Sequence, residues 1–240
     1  MNPIVVIPAR MAASRLPGKP LADIGGQPMI VRVLRRAEMA RVGPVLVAAG
    51  ENAILDAIKK AGGRAVLTNP DLASGSDRIH AALEETDPGG QYDAVINLQG
   101  DLPELDPEAI RRVATLLEES GADIATLAAP IADPADYDNP NVVKPIVAWE
   151  GDKGRALYFT RARAPAGEGP LFHHIGIYAF TRSALARFVR LPPSALEARE
   201  KLEQLRALEA GMRIMVGRVD AVPLSVDTPA DLERARKLLA

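Results

Sequence analysis

The chain has 240 residues, 48% hydrophobic and 25% charged, with a formal net charge of -2 and no cysteine. These values exclude a wholly disordered chain, disulfides, thiolate metal sites and thiol nucleophiles, and they argue against a dedicated nucleic-acid binder. No apolar run approaches the roughly 18 residues of a membrane span and the first residues carry no basic, apolar leader. The expectation is a soluble cytoplasmic protein, of one domain or one domain plus a lobe.

Residues 4–7 are continuously apolar, as a strand buried on both faces should be. Pro28 opens a helix whose stripe is Ile30, Val33, Leu34 and Ala37. Residues 45–49 predict the next strand, and Ile54, Leu55 and Ile58 a helix stopped by Gly62-Gly63. A short strand at 65–67, a helix from 76 to 83 and a strand at 94–98 follow. Asp106-Pro107 caps a helix that buries Ile110, Val113 and Leu117, and residues 124–128 return as a strand. The pattern then changes. Residues 142–149, 156–159 and 175–180 read as strands with no long helix between them. One helix over 196–210, a strand at 214–217 and a last helix capped by Thr228-Pro229-Ala230-Asp231 complete the chain. The fold class is therefore α/β: a mostly parallel, Rossmann-like sheet with helices on both faces, and a small mixed-β insertion over 131–190.

Three cations, Arg10, Arg15 and Lys19, fall in the loop after the first strand, among Pro8, Pro17, Gly18 and Pro20. Open α/β sheets bind ligands at the carboxyl ends of their strands, and forked arginines with a lysine suit a triphosphate. The loop is neither G-x-G-x-x-G nor a Walker A sequence. Gln99-Gly100-Asp101 ends another strand and places a carboxylate where Mg²⁺ would sit beside phosphates. Asp227 is a second carboxylate candidate, or a cap of the last helix together with Thr228. Ser74-Gly75-Ser76-Asp77-Arg78 opens a helix, either as an N-cap or as a site for a polar ligand. His173 and His174 are adjacent in a strand, face opposite ways and make a poor metal pair. Glu203-Gln204-Leu205-Arg206 reads as an exposed helix face.

Taken together, these motifs resemble the 3-deoxy-manno-octulosonate (Kdo) cytidylyltransferases, a nucleotidyltransferase family. The resemblance rests on Ile7-Pro8-Ala9-Arg10, Ser14-Arg15-Leu16-Pro17-Gly18-Lys19-Pro20-Leu21, Ser74-Gly75 with Asp77-Arg78, Asn97-Leu98-Gln99-Gly100-Asp101, Asn139-Pro140-Asn141-Val142-Val143-Lys144, Ala156-Leu157-Tyr158-Phe159 with Arg161-Ala162, His174-Ile175-Gly176-Ile177-Tyr178, Leu202-Glu203-Gln204-Leu205-Arg206 and Val226-Asp227-Thr228-Pro229. It implies transfer of CMP from CTP to Kdo with Mg²⁺, a homodimer formed through the insertion, and no nucleic-acid or membrane partner. By motif, Arg10, Arg15 and Lys19 bind the triphosphate, and Asp101 and Asp227 hold the metal. Ala9, Ser74, Asp77 and Gln99 serve the nucleotide. Gln99, Arg161, His174, Tyr178, Glu203 and Gln204 line the sugar pocket, with Arg161 as partner of the sugar carboxylate. The chain departs from many members at Leu102, at Ala49-Gly50 and in a shorter segment between Arg161 and His174. Rival readings are a cytidylyltransferase for sialic acid or an amino-substituted Kdo, glycosyl transfer on a similar sheet, and a non-catalytic nucleotide sensor.

Overall fold

A computed structural model describes residues 1–12 and 15–239, so Ser14 of the first motif lies outside the described residues. The chain forms two compact units, Met1–Arg111 with Pro223–Ala240, and Arg112–Val222.

The first unit is built on β1 (Pro3–Ala9), in which every residue from Ile4 on is buried. It pairs in parallel with β4 (Val45–Ala49) and with β6 (Ala94–Leu98), and β4 pairs in parallel with β5 (Ala65–Leu67). The strands lie in the order β5-β4-β1-β6. A parallel strand flanked on both sides and covered on both faces has no solvent side, so its sequence shows no alternation. Helices α1 (Met29–Ala40), α2 (Asn52–Lys60) and α3 (Gly75–Thr86) make the crossovers. Pro28 stands at the N-cap of α1, one place before the helix it was expected to begin. A hairpin of two-residue strands, β2 (Asp23–Ile24) and β3 (Gln27–Pro28), turns on Gly25 and Gly26, both with positive φ. Strands this short show no periodicity and leave no signal in the amino-acid pattern. The last helix, α8 (Pro229–Leu239), packs Leu232 and Ala235 into a small core with Ile24, Met29 and Val226. That packing fastens residues 223–239 to the first unit.

The second unit begins inside α4 (Pro107–Ser120) and holds β7 (Ile124–Pro130), β8 (Lys144–Glu150), β9 (Lys153–Thr160), β10 (Phe172–Thr181) and β11 (Ile214–Arg218). Their order is β10-β7-β11-β9-β8, with β11 parallel to β7 and the other pairs antiparallel. A mixed-β insertion was expected over 131–190, and β9 and β10 run longer than the apolar cores that announced them. The strand expected from 142 starts at Lys144, because the Val142 N–H closes a turn on Asn139 O. Helix α5 (Arg182–Phe188), capped by Thr181, was not expected.

The single helix expected over 196–210 is two helices, α6 (Ala195–Glu200) and α7 (Gln204–Glu209), broken at Lys201 with φ 57. The break is stable because the Arg161 guanidinium takes the carbonyls of Glu200 and Lys201, which a continuing helix would have used itself. Gln204, Leu205 and Ala207 are buried, which corrects the reading of 203–206 as an exposed face. Arg206 pairs with Glu197 and stacks over Phe188.

Candidate active site

In the first unit the carboxyl ends of the parallel strands converge in register, with Ala9 opposite Ala49 and Ala49 opposite Leu67. The loop after β1 folds back because Gly18 takes φ 73, a conformation open to glycine, and donates its N–H to Met11 O at 3.1 Å. A one-turn 3₁₀ helix, Lys19–Leu21, then carries Lys19 inward. Its ammonium donates to Asp101 Oδ2 at 2.9 Å and to Asp227 Oδ1 at 3.2 Å. Arg15 Nη2 lies 3.2 Å from the same Asp227 oxygen. Burial alone would depress the Lys19 ammonium, but the two carboxylates outweigh it and hold its pKa above the usual value. The Val226 N–H donates to Asp101 O at 3.0 Å, which ties the two aspartate segments together.

The alternative left open for Asp227 has a geometric answer. The cap of α8 is Thr228, whose hydroxyl accepts from the Asp231 N–H while the Asp231 carboxylate accepts from the Thr228 N–H. The Asp227 carboxylate is directed to Lys19 and Arg15 instead. Ser74 is the N-cap of α3 in a reciprocal capping box with Asp77, whose carboxylate accepts from the Ser74 N–H and hydroxyl.

A cavity of about 440 Å³ is lined by Ala9, Arg10, Arg15, Lys19, Ser74, Gln99, Asp101 and Asp227. Asp77 stands behind Ser74 and does not line it. Arg78 does line it; the 74–78 motif included it but gave it no role of its own. Leu102, named above as a departure from the family pattern, is buried. Asp101 and Asp227 offer hard oxygen donors to one point already held by a cation, Lys19. Among the described residues no third carboxylate or histidine joins them. Two carboxylates suit Mg²⁺, which keeps several waters and takes phosphate oxygens from its substrate.

The remaining expected residues belong to the second unit, Arg161 at one place and His174 and Tyr178 at another. Arg161 Nε donates to Glu200 O at 2.7 Å, Nη1 to Pro140 O at 2.9 Å and Nη2 to Lys201 O at 3.3 Å. Three of its five N–H groups are thus committed, and one remains on each terminal nitrogen. Lys144, fully buried, donates to Asn139 O and Arg161 O and anchors the same strand end.

In β10 the register against β7 shifts between Ile175 and Tyr178. The Thr126 hydroxyl fills the gap, 2.7 Å from Ile177 O and 3.0 Å from His174 Nε2. One hydroxyl has one proton. With that proton donated to Ile177 O, the imidazole Nε2–H donates to the hydroxyl oxygen. Burial, reinforced by neighbouring His173, pushes His174 down to about 3, so the ring is neutral. The Tyr178 ring lies 5.4 Å from it, and burial with the Glu203 carboxylate pushes the phenol well above its ordinary value. Gln204 is buried at the start of α7.

The parallel sheet with a cationic loop at its carboxyl end is that of a nucleotidyltransferase, and the chain belongs to the cytidylyltransferase family, whose model matches residues 4–214. Within that class its relatives are specific. The chain is 64% identical over 240 residues to a 3-deoxy-manno-octulosonate cytidylyltransferase of Parvibaculum lavamentivorans, covering 100% of this chain and 93% of the relative. It is 64% identical to the protein of the same name from Rhodospirillum centenum, covering 99% and 93%. A solved structure of CMP:2-keto-3-deoxy-manno-octonic acid synthetase complexed with CTP matches with a TM-score of 0.92 at 37% identity, over 99% of this chain and 98% of that one.

Proposed function

We propose that this chain transfers CMP from CTP to the anomeric hydroxyl of Kdo, giving CMP-Kdo and pyrophosphate for lipopolysaccharide biosynthesis. The observation that carries the reading is the convergence of Arg15, Lys19, Asp101 and Asp227 at one mouth of the sheet. The 64% identity to two proteins of that name supports it. The sugar oxygen forms a bond to the α-phosphorus as the bond to the pyrophosphate oxygen breaks, and the hydroxyl proton leaves to solvent. Arg10, Arg15 and Lys19 bind the triphosphate and offset charge on the departing pyrophosphate. Ala9, Ser74 and Gln99 border the nucleotide, with Asp77 holding Ser74 in place. Asp101 and Asp227 would hold Mg²⁺, which when bound polarises the α-phosphoryl group.

On the sugar side, the two uncommitted N–H groups of Arg161, one per terminal nitrogen, suit a carboxylate bidentately. His174, Tyr178, Glu203, Gln204 and Gln99 complete the sugar pocket in this reading, and the two rings act as neutral hydrogen-bonding groups. The reading includes a homodimer formed through 131–190 and a cytoplasmic location, the compartment that supplies CTP.

The test is pyrophosphate release from CTP and Mg²⁺ with Kdo, with sialic acid and with no sugar. Release with Kdo alone is expected. Release with sialic acid instead would keep the phosphate chemistry and overturn the sugar. Silence in all three from a folded protein would overturn the activity.

A further inference from the structure

Arg78 is 2% exposed, yet it lines the same cavity as Ser74, Gly75 and Gln99. It stands on the first turn of α3, four residues after the Ser74 cap, where a side chain leans back toward the helix N-terminus. Its Nη1 donates to Thr68 Oγ1 at 2.6 Å and to Asn69 O at 3.0 Å, and its Nη2 to Pro70 O at 3.0 Å. These bonds hold the guanidinium plane against the segment that leaves β5.

All three partners are neutral oxygens. Burial opposes the charge, Glu51 compensates in part, and neighbouring Arg10 adds to the opposition. A buried guanidinium without a hydrogen-bonded carboxylate is costly unless its remaining donors are also met. Of five N–H groups three are spent, leaving one on Nε and one on Nη2. Those two nitrogens share an edge of the guanidinium and form a two-pronged donor. Gly50 makes the room: a Cβ there would stand 3.1 Å from Nη1 and 3.3 Å from the Arg10 Cβ. The cavity is also lined by the uncharged Pro8, Leu72 and Gly75; Arg10 stands beside Arg78, whereas the loop cations Arg15 and Lys19 already meet the aspartates.

We propose that Arg78 reads the pyrimidine: its Nε and Nη2 donors meet the O2 and N3 acceptors of cytosine and select a cytidine over a uridine nucleotide. The inference rests on the CTP reading above. Cytosine presents O2 and N3 side by side as acceptors. In uracil N3 carries a hydrogen, so one prong of the fork faces a donor. A site built to hydrogen-bond one pattern rejects the other because its own buried groups are left unpaired. A phosphate would also accept from the same fork, so the experiment separates base from phosphate.

Turnover with Kdo and Mg²⁺ is measured for CTP, UTP and the CTP analogue in which carbon replaces N3. In the wild type the analogue is expected to fall below CTP in kcat/KM by about tenfold to a hundredfold, the usual worth of a bidentate base contact. Arg78→Met should bring CTP and the analogue within about threefold of each other. Arg78→Lys, which keeps the charge and loses the fork, should do the same. Circular dichroism and Tm accompany each variant. An equal loss on CTP, UTP and the analogue in Arg78→Met would make the contact a phosphate or a structural one and overturn the inference. A wild type that uses CTP and the analogue within twofold overturns it with no variant needed. A wild type that neither binds nor turns over CTP sinks the CTP reading itself, a distinguishable failure.

Discussion

Around Lys19 the first unit gathers two cations and two carboxylates at one half-buried point, whereas around His174 the second unit buries two titratable rings and keeps both neutral. The first arrangement suits a ligand that brings its own charge. Such a ligand's charges can take over from the internal ion pairs, because the ammonium and the carboxylates are already held together in a pocket open to solvent. The second suits a polyol, whose hydroxyls are met by fixed neutral donors and acceptors at a small desolvation cost. Arg161 is intermediate. It is a full charge in the second unit, spent mostly on three backbone carbonyls, with two N–H groups to spare.

The sharpest way to break this contrast is Asp101→Asn. It removes one charge from the four-charge cluster and should lower turnover by about a hundredfold to a thousandfold, as loss of a preorganised charge-stabilising group does. Pyrophosphate release with Mg²⁺ measures it, and near-normal turnover would take Asp101 out of the chemistry. Next in size is Arg161→Ala. It should raise KM for Kdo by about tenfold to a hundredfold, the worth of a charge-assisted pair, with KM for CTP nearly unchanged. An equal rise in both would remove the sugar carboxylate from its account. Because Arg161 also holds the C-terminal end of α6, a Tm measurement accompanies the kinetics.

The neutral rings can be tested through stability. His174 has a folded-state pKa of about 3, below the value of roughly 6.5 in an unfolded chain. Between those values the unfolded chain binds the proton that the folded chain refuses. Stability is therefore full above the unfolded value and is lost as pH falls toward 3, by at most about 1.4 kcal/mol per pH unit from this one group. Urea midpoints between pH 4 and 7 should show the slope, and His174→Gln should flatten it. An unaltered slope in the variant would mean the ring is not held neutral by burial. Smallest is Ser74→Ala, which removes the cap of α3 and should cost about 1 kcal/mol, readable as a lower Tm. A loss of CTP affinity far beyond that would show a direct contact between the hydroxyl and the nucleotide.

Much of the first unit is legible in the order of its residues. Continuous apolar runs suit strands covered on both faces, and β1, β4, β5 and β6 fall where those runs lie. Capping signatures are local chemistry, so Ser74 with Asp77 and Thr228 with Asp231 behave as their spacing predicts. The choice between capping and pairing for Asp227 is not legible there. It depends on Lys19, 208 positions away in the chain. The break at Lys201 is equally hidden, since the donor that satisfies the freed carbonyls is Arg161, on another element.

The amino-acid pattern by itself therefore determined the α/β class, the strand runs, the caps and the cationic loop, because each depends on neighbours within a few residues or on burial alone. Which charges meet, which rings stay neutral and which donors of Arg78 and Arg161 remain unspent were decided only by the tertiary structure. Those outcomes depend on groups brought together across long stretches of chain, and on the removal of water that makes each unpaired donor count.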